Sequence, residues 1–596
     1  MKLLLLILIT GLSFNMSNAH EAKIHYKLGM SKPGTNLFEV EVSFSGLNQS
    51  DKTLELILPV WRPGRYLIFD FASGIQEFEA SGGDEKLKWW KTDKTTWQVE
   101  KGTGSSVTVK YKVFGNEFIT RTRGLDETHG FVNGTAVFMY AEKYRHNPVT
   151  LTVIPYNNWH VTTGLDNVKN KPNEFSAPGY DYLADCPLEI GTQTDFDFEV
   201  NGLRHTISFF GEAKYDKQRL IDDFTIIIKK NYEFWGDIPY RRYVFIVHCT
   251  PQSGGGTEHI NSTIVGVRPG AFESEQGYKS FLRLISHEFF HTWNVKQLKP
   301  KGITPYDYTK ENYTSELWIA EGGTSYYDGL MITRTGQSTP EEFYSEITGG
   351  ASEERLRPGN KIQSVSESSF DAWVKFWKRT PNAYLSESDY YAKGSYVSLV
   401  LDLEIRHASE NRYSLDDVFK TMYKDFPLDK KGYTNEDFRK YCEKFAGTSL
   451  KQFFDDYVYG TKPIEWERYL SYAGLELKSA EDTTRPIVGL NTQKRGEKIV
   501  VNDIIPGSSA DNARLMAGDE IIALNGGRLG YEEMEKRIKE MKAGEKIGLT
   551  VFRGDKLMEF TLELKNNKMI TYHIEKTQNP NAMQIAIYEK WLEVKW

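Results

Sequence analysis

Apolar and polar residues alternate strictly along Phe38-Glu39-Val40-Glu41-Val42-Ser43-Phe44, and again along Ser106-Val107-Thr108-Val109-Lys110-Tyr111-Lys112-Val113. A period of two puts every second side chain on one face of a strand. Glycine, proline and asparagine clusters separate such runs from residue 20 to about 205. This part is expected to be a β-sandwich. The period changes between Tyr278 and Val295, where Phe281, Leu284, Ile285, Phe289 and Trp293 recur at helical spacing without proline or internal glycine. The unit from 206 to 462 is expected to open with strands, including Tyr243 to Cys249, and to continue as helices. Thr339-Pro340-Glu341-Glu342 reads as a capping box with proline at the first helical position. Ser414 and Thr434 are expected caps of later helices, and Gly460 suits the end of the helical run. Between 468 and 567 the pattern is short strands with one helix near Tyr531 to Met541. Residues 568–596 form an aromatic tail expected to dock on the rest.

Composition narrows the class. A chain of 596 residues exceeds one core, so about three domains are expected. With 13% aromatic and 26% charged residues it is globular rather than disordered. A net charge of -7, without a lysine- and arginine-rich run, argues against a nucleic-acid partner. Residues 1–19 read as a signal peptide: Lys2, a short apolar run Leu3 to Leu12, and small residues at Ser17 and Ala19. The competing reading is an uncleaved anchor, and no later stretch is apolar enough to span a membrane. Export to the periplasm or outside the cell is therefore expected. Cys186, Cys249 and Cys442 do not make a disulfide framework.

The chemistry lies in Ser286-His287-Glu288-Phe289-Phe290-His291-Thr292-Trp293-Asn294. Positions i and i+4 of a helix share a face, so His287 and His291 can reach one metal ion. Glu288 is placed to take a proton from a water held there. Alone, the motif also fits a helix with two surface histidines and a glutamate. A catalytic zinc needs a third protein ligand and an open position. Glu321, in the apolar segment Leu317-Trp318-Ile319-Ala320-Glu321-Gly322-Gly323, is costly to bury unless paired or ligating. It is the expected third ligand, against a partly exposed glutamate at a helix bend. Glu258 follows the glycine run Gly254-Gly255-Gly256. It is read either as the anion that binds a substrate's α-ammonium or as a surface glutamate on a flexible loop.

HEFFHTWN at 287–294 followed by WIAEGGTSYY at 318–327 resembles the glycyl aminopeptidase family of zinc metallopeptidases, gluzincins with a C-terminal PDZ domain. Trp61 to Tyr66 and Asp181 to Gly191 resemble that family's N-terminal region. The resemblance implies a multidomain α+β chain: an N-terminal β-sandwich (20–205), a thermolysin-like, mostly α catalytic domain (206–462), a PDZ domain (468–567) and a tail (568–596). Gly507-Ser508-Ser509-Ala510 with Ala517 to Gly526 resembles a bacterial PDZ domain, with its carboxylate-binding loop near Val488-Gly489-Leu490. Such domains add an extended C-terminal peptide to a sheet edge. The family further implies one zinc per chain, the amine-binding role for Glu258, an oxyanion-binding tyrosine at Tyr391 with Tyr390 as rival, and preference for N-terminal glycine or alanine. Tyr391 also reads as a packing tyrosine at a helix start. Asn294 and Asp328 are candidates to support the ligands. Glycine at 323 departs from the family pattern and is expected to widen the cleft.

The expected function is therefore a zinc-dependent aminopeptidase acting on peptides with a free N-terminus. A PDZ-assisted zinc endopeptidase and a non-catalytic peptide-binding protein are the alternatives. Asn48, Asn133, Asn261 and Asn312 stand in glycosylation-type sequences. A glycan at Asn261, beside the proposed cleft, would obstruct substrate, which favours bacterial export.

Overall fold

The computed structural model describes residues 22–428, 431–482, 486–566 and 569–596. The leader expected at 1–19 lies outside them. The two alternating runs form the neighbouring antiparallel strands Leu37–Ser45 and Ser106–Phe114, with Val42 opposite Val109. Their apolar positions are the buried ones, which is the period of two expressed as one face of a sheet. They belong to an eight-stranded sheet, accompanied by four- and three-stranded sheets.

Strand Leu203–Gly211 spans position 205 and belongs to the next layer. It pairs in parallel with Arg242–Cys249, which pairs in parallel with Ser262–Val267. The short strand Gly255–Glu258 closes this five-stranded sheet as an antiparallel edge. Helices then dominate. Capping boxes at Thr339, Ser414 and Thr434 start three of them, as the sequence leads one to expect. The β-rich part and the helical part share one continuous apolar core. They are also tied by the Trp61 indole, which donates to the Asp307 carbonyl at 2.6 Å, and by Arg145, which donates to the Tyr306 carbonyl at 2.8 Å.

The PDZ segment has its own core around Val488, Val501, Leu524 and Leu549. Its longer helix is Glu533–Lys539, and its closing strands are Lys546–Arg553 and Lys556–Glu563. Strand Leu475–Asp482 leads into it, and Met569–Lys576 leads back, the two paired antiparallel. The tail then returns to the helical part. In helix Ala582–Leu592 the Trp591 indole donates to the Tyr326 hydroxyl at 2.8 Å, and the Arg334 Nε donates to the Trp591 carbonyl at 2.9 Å.

All three cysteines are buried thiols. Asn261 is buried too, its amide donating to the Gly164 carbonyl and the Tyr182 hydroxyl. No helix among the described residues is long and apolar enough to cross a membrane.

Candidate active site

The motif helix runs from Glu275 to Phe290, started by the Ser274 hydroxyl accepting from Gly277 N–H. It stops four residues short of Asn294, earlier than the unbroken pattern to Val295 suggests. The reason is local: the Asn294 carbonyl accepts from His291 Nδ1 at 2.7 Å. The Asn294 amide donates to the Ile319 and Ala320 carbonyls, at 3.1 and 3.2 Å. Those carbonyls belong to the second metal-site segment, where Trp318–Gly323 is a π-turn rather than an α-helix. Such turns shift one residue's aim and recur at functional sites. Here the turn carries Glu321, 2% exposed, toward the two histidines. Gly322 permits the approach, because a Cβ there would stand 2.6 Å from the Gly394 Cα and the Tyr390 carbonyl.

His291 Nε2 lies 3.0 Å from His287 Nε2 and 3.2 Å from Glu321 Oε2, and His287 Nε2 lies 3.9 Å from the same oxygen. Both Nδ1 atoms face oxygens that only accept: the Asn294 carbonyl for His291, and Asp328 Oδ2 at 2.9 Å for His287. In the neutral rings both Nδ1 atoms therefore donate, and both Nε2 atoms carry lone pairs. Two imidazole lone pairs and a carboxylate oxygen facing one another at these distances fit a divalent cation, and the donor set is that of zinc. Asp328 is fixed in turn by Arg283 Nε, 2.7 Å from its other oxygen.

Glu288 is buried one position round the helix. Burial raises its carboxyl to about 7, outweighing the histidines that favour the anion. Gly256 lies against it, so close that a Cβ at 256 would overlap the carboxylate. Two residues along the same edge strand, Glu258 is 4% exposed, and its Oε1 is buried without a hydrogen-bond partner. Burial opposes the charged form of Glu258, but Arg62, followed by His291 and Lys296, holds its pKa below the usual value. Single donor atoms of Glu258, Glu288 and His291 lie within 4.8 Å of one another. Tyr391 lines the same cleft, its ring 6.4 Å from that of His287. Tyr390 is fully buried, its hydroxyl accepting from the Trp377 indole at 3.0 Å.

One expectation is corrected. Gly323 does not widen the cleft: it faces the Phe419 ring, 3.1 Å from where its Cβ would stand, and Asn294. The β-rich domain forms one wall of the cleft, since Gly64, Arg65 and Arg121 line the cavity of about 740 Å³ beside the metal site. Trp377 and Arg379 complete that rim. Gly64 and Arg65 fall in the Trp61 to Tyr66 segment, whereas Arg121, Trp377 and Arg379 carry no signal in the sequence.

Comparison with known proteins agrees with this geometry. Residues 25–192 match the peptidase M61 N-terminal domain, residues 280–397 the M61 glycyl aminopeptidase family and residues 478–564 a PDZ domain. No curated protein matches. An aminopeptidase N family protein from Idiomarina loihiensis is 28% identical, with a TM-score of 0.88, over 96% of this chain and 100% of that one. An M1 zinc metallopeptidase from Deinococcus radiodurans is 12% identical, with a TM-score of 0.47, over 74% of this chain and 95% of that one. The chain is a zinc metallopeptidase of the aminopeptidase type, similar to the M61 glycyl aminopeptidases, with an M61 N-terminal domain before its catalytic unit and a PDZ domain behind it.

Proposed function

We propose that this zinc aminopeptidase releases single small residues, glycine or alanine, from the free N-terminus of peptides. The observation that carries the single-residue part is the partnerless carboxylate oxygen of Glu258 at the end of the edge strand. An α-ammonium donates three hydrogen bonds and would satisfy it. Behind Glu258 the loop at Gly64, with φ +86°, comes so close that a Cβ at 64 would overlap the carboxylate. Backbone packed against the carboxylate there would stop a peptide from continuing past it, which favours the aminopeptidase over the endopeptidase reading. The preference for glycine or alanine is supported by the match to the glycyl aminopeptidases.

His287, His291 and Glu321 would hold one zinc per chain. When bound, zinc supplies a Lewis acid that acidifies water and polarises the scissile carbonyl. Glu288, buried beside the ligands, takes the proton of the attacking water and delivers it to the leaving amine. The Tyr391 hydroxyl donates to the oxygen on which negative charge develops. Glu258 anchors the amine, so the first peptide bond stands beside Glu288. The free edge of Gly255–Glu258 offers backbone groups to an extended substrate. Cleavage of the leader after Ala19, export beyond the cytoplasm and a C-terminal peptide ligand for the PDZ domain belong to the same proposal.

The test is hydrolysis of glycyl and alanyl p-nitroanilides, with and without an N-acetyl group. Cleavage of the free amines alone is expected. Equal cleavage of the blocked substrates would remove Glu258 from its role.

A further inference from the structure

We infer that the leaving-group side of the cleft recognises a carboxylate through Arg65 and Arg121, so that the enzyme selects peptides carrying an anion just beyond the released residue. The inference rests on the aminopeptidase reading. The anion has two sources: an acidic side chain, or the C-terminal carboxylate of a di- or tripeptide.

The edge strand sets the axis. Glu258 stands at one end and Gly256 against Glu288. Beyond it, Arg121 Nη2 donates to the Gly256 carbonyl at 3.2 Å and lies 3.5 Å from where a Cβ of Gly255 would stand. Strand residues advance about 3.4 Å each, so Gly255 lies roughly 10 Å from Glu258. An extended peptide with its amine at Glu258 passes its first carbonyl beside Glu288, then meets Arg121 one or two residues later.

The cations there lack counter-charges. Of the four arginines lining the cleft, Arg283 is paired with Asp328 and Glu346, and Arg379 with Asp389. Arg65 and Arg121 meet no carboxylate among the described residues, and the Nε of each is buried without an acceptor. Both guanidinium groups sit over the Trp377 ring, 3.5 and 5.9 Å from its centroid. The ring holds them in place but accepts none of their N–H groups in plane. Arg65 is lowered to about 10, by burial first and then by the like charge of Arg121. Two half-buried cations without counter-charges, held beside one aromatic ring and lining the cavity, suit a planar anion that accepts from their outer N–H groups.

The test compares kcat/KM within matched pairs: Ala-Gly-Gly as free acid against its C-terminal amide, and Ala-Glu-amide against Ala-Gln-amide. Wild type is expected to favour the charged member of at least one pair roughly tenfold or more, mainly through KM. The pair that shows the preference identifies the source of the carboxylate. Arg121→Gln and Arg65→Gln are expected to bring that ratio toward one, and Arg121→Lys to restore part of it. Added salt should weaken the preference in wild type. A ratio of one in wild type for both pairs, or variants that lower charged and neutral members alike, overturns the inference while leaving the aminopeptidase reading intact. Failure to cut even the amides overturns both.

Discussion

Asp328 Oδ2 lies 2.9 Å from His287 Nδ1, and the same carboxylate takes Arg283 on its other oxygen. This pairing fixes the tautomer that leaves His287 Nε2 free for a metal. Asp328→Ala is expected to weaken zinc binding about 10- to 100-fold, with activity falling in parallel at limiting metal. Competition with a chromogenic chelator measures it, and unchanged affinity would show that ring packing alone orients His287.

Glu288→Gln separates holding the metal from using it. The ligand atoms are on His287, His291 and Glu321, so zinc content should stay at the wild-type level. The amide cannot accept the water's proton, so kcat should fall about 10²- to 10⁴-fold. Metal analysis beside alanyl p-nitroanilide turnover decides the matter.

Gly64→Ala tests the closed end of the cleft. Its φ of +86° suits glycine, and the added methyl would collide with the Glu258 carboxylate. The expected result is a steep loss of kcat/KM carried by KM, with zinc retained. A fully active variant would mean that the backbone at Gly64 is not the stop behind the amine.

The legible parts of this site are those that lie close together in sequence. His287, Glu288 and His291 fall within five positions at the end of one helix, and Glu321 stands out because its neighbours are apolar. The π-turn that aims Glu321 left no pattern, since Leu317 to Ala320 reads equally well as α-helix. Arg65, Arg121 and Trp377 come from separate segments and meet only when the β-rich and helical parts share a core. The alternating strands announced themselves because one face of each is buried and the other exposed. Gly323 misled for the opposite reason: its space is filled by Phe419, almost a hundred positions away.

Glu189 joins two layers of the fold. Fully buried, it lies 2.7 Å from His129 Nδ1 and 2.7 Å from His248 Nε2. Burial raises its carboxyl, but His248 and His129 overcome this and lower it to about 2. Its folded pKa is thus below its unfolded value near 4.5. Its contribution is present above that unfolded value and lost as pH falls toward 2. Denaturant midpoints for wild type and Glu189→Gln should differ at neutral pH and converge between pH 4.5 and 2. A constant difference would refute the ionic role.

The tail and the PDZ domain should prove separable in their effects. Trp591 is buried against Tyr326 and Arg334, on the helix Thr324–Arg334 that also bears Asp328. Trp591→Ala should therefore destabilise the catalytic unit by about 3–5 kcal/mol. The PDZ domain lies between the two strands that lead to and from it. Asp482 and Met569 stand opposite each other in that antiparallel pair, so their Cα atoms are about 5 Å apart. A short asparagine-glycine turn can bridge that gap without strain. Replacing the segment between 482 and 569 with such a turn removes a separate core and keeps the returning strand and helix. This variant is expected to bind zinc, keep the wild-type thermal midpoint of the catalytic unit and cut short alanyl substrates at nearly the full-length rate. Truncation after 482, which also removes Trp591, should lose all three. If the excised enzyme stays folded but no longer cuts short substrates, the PDZ domain helps to form the cleft, and its role extends beyond capturing longer peptides.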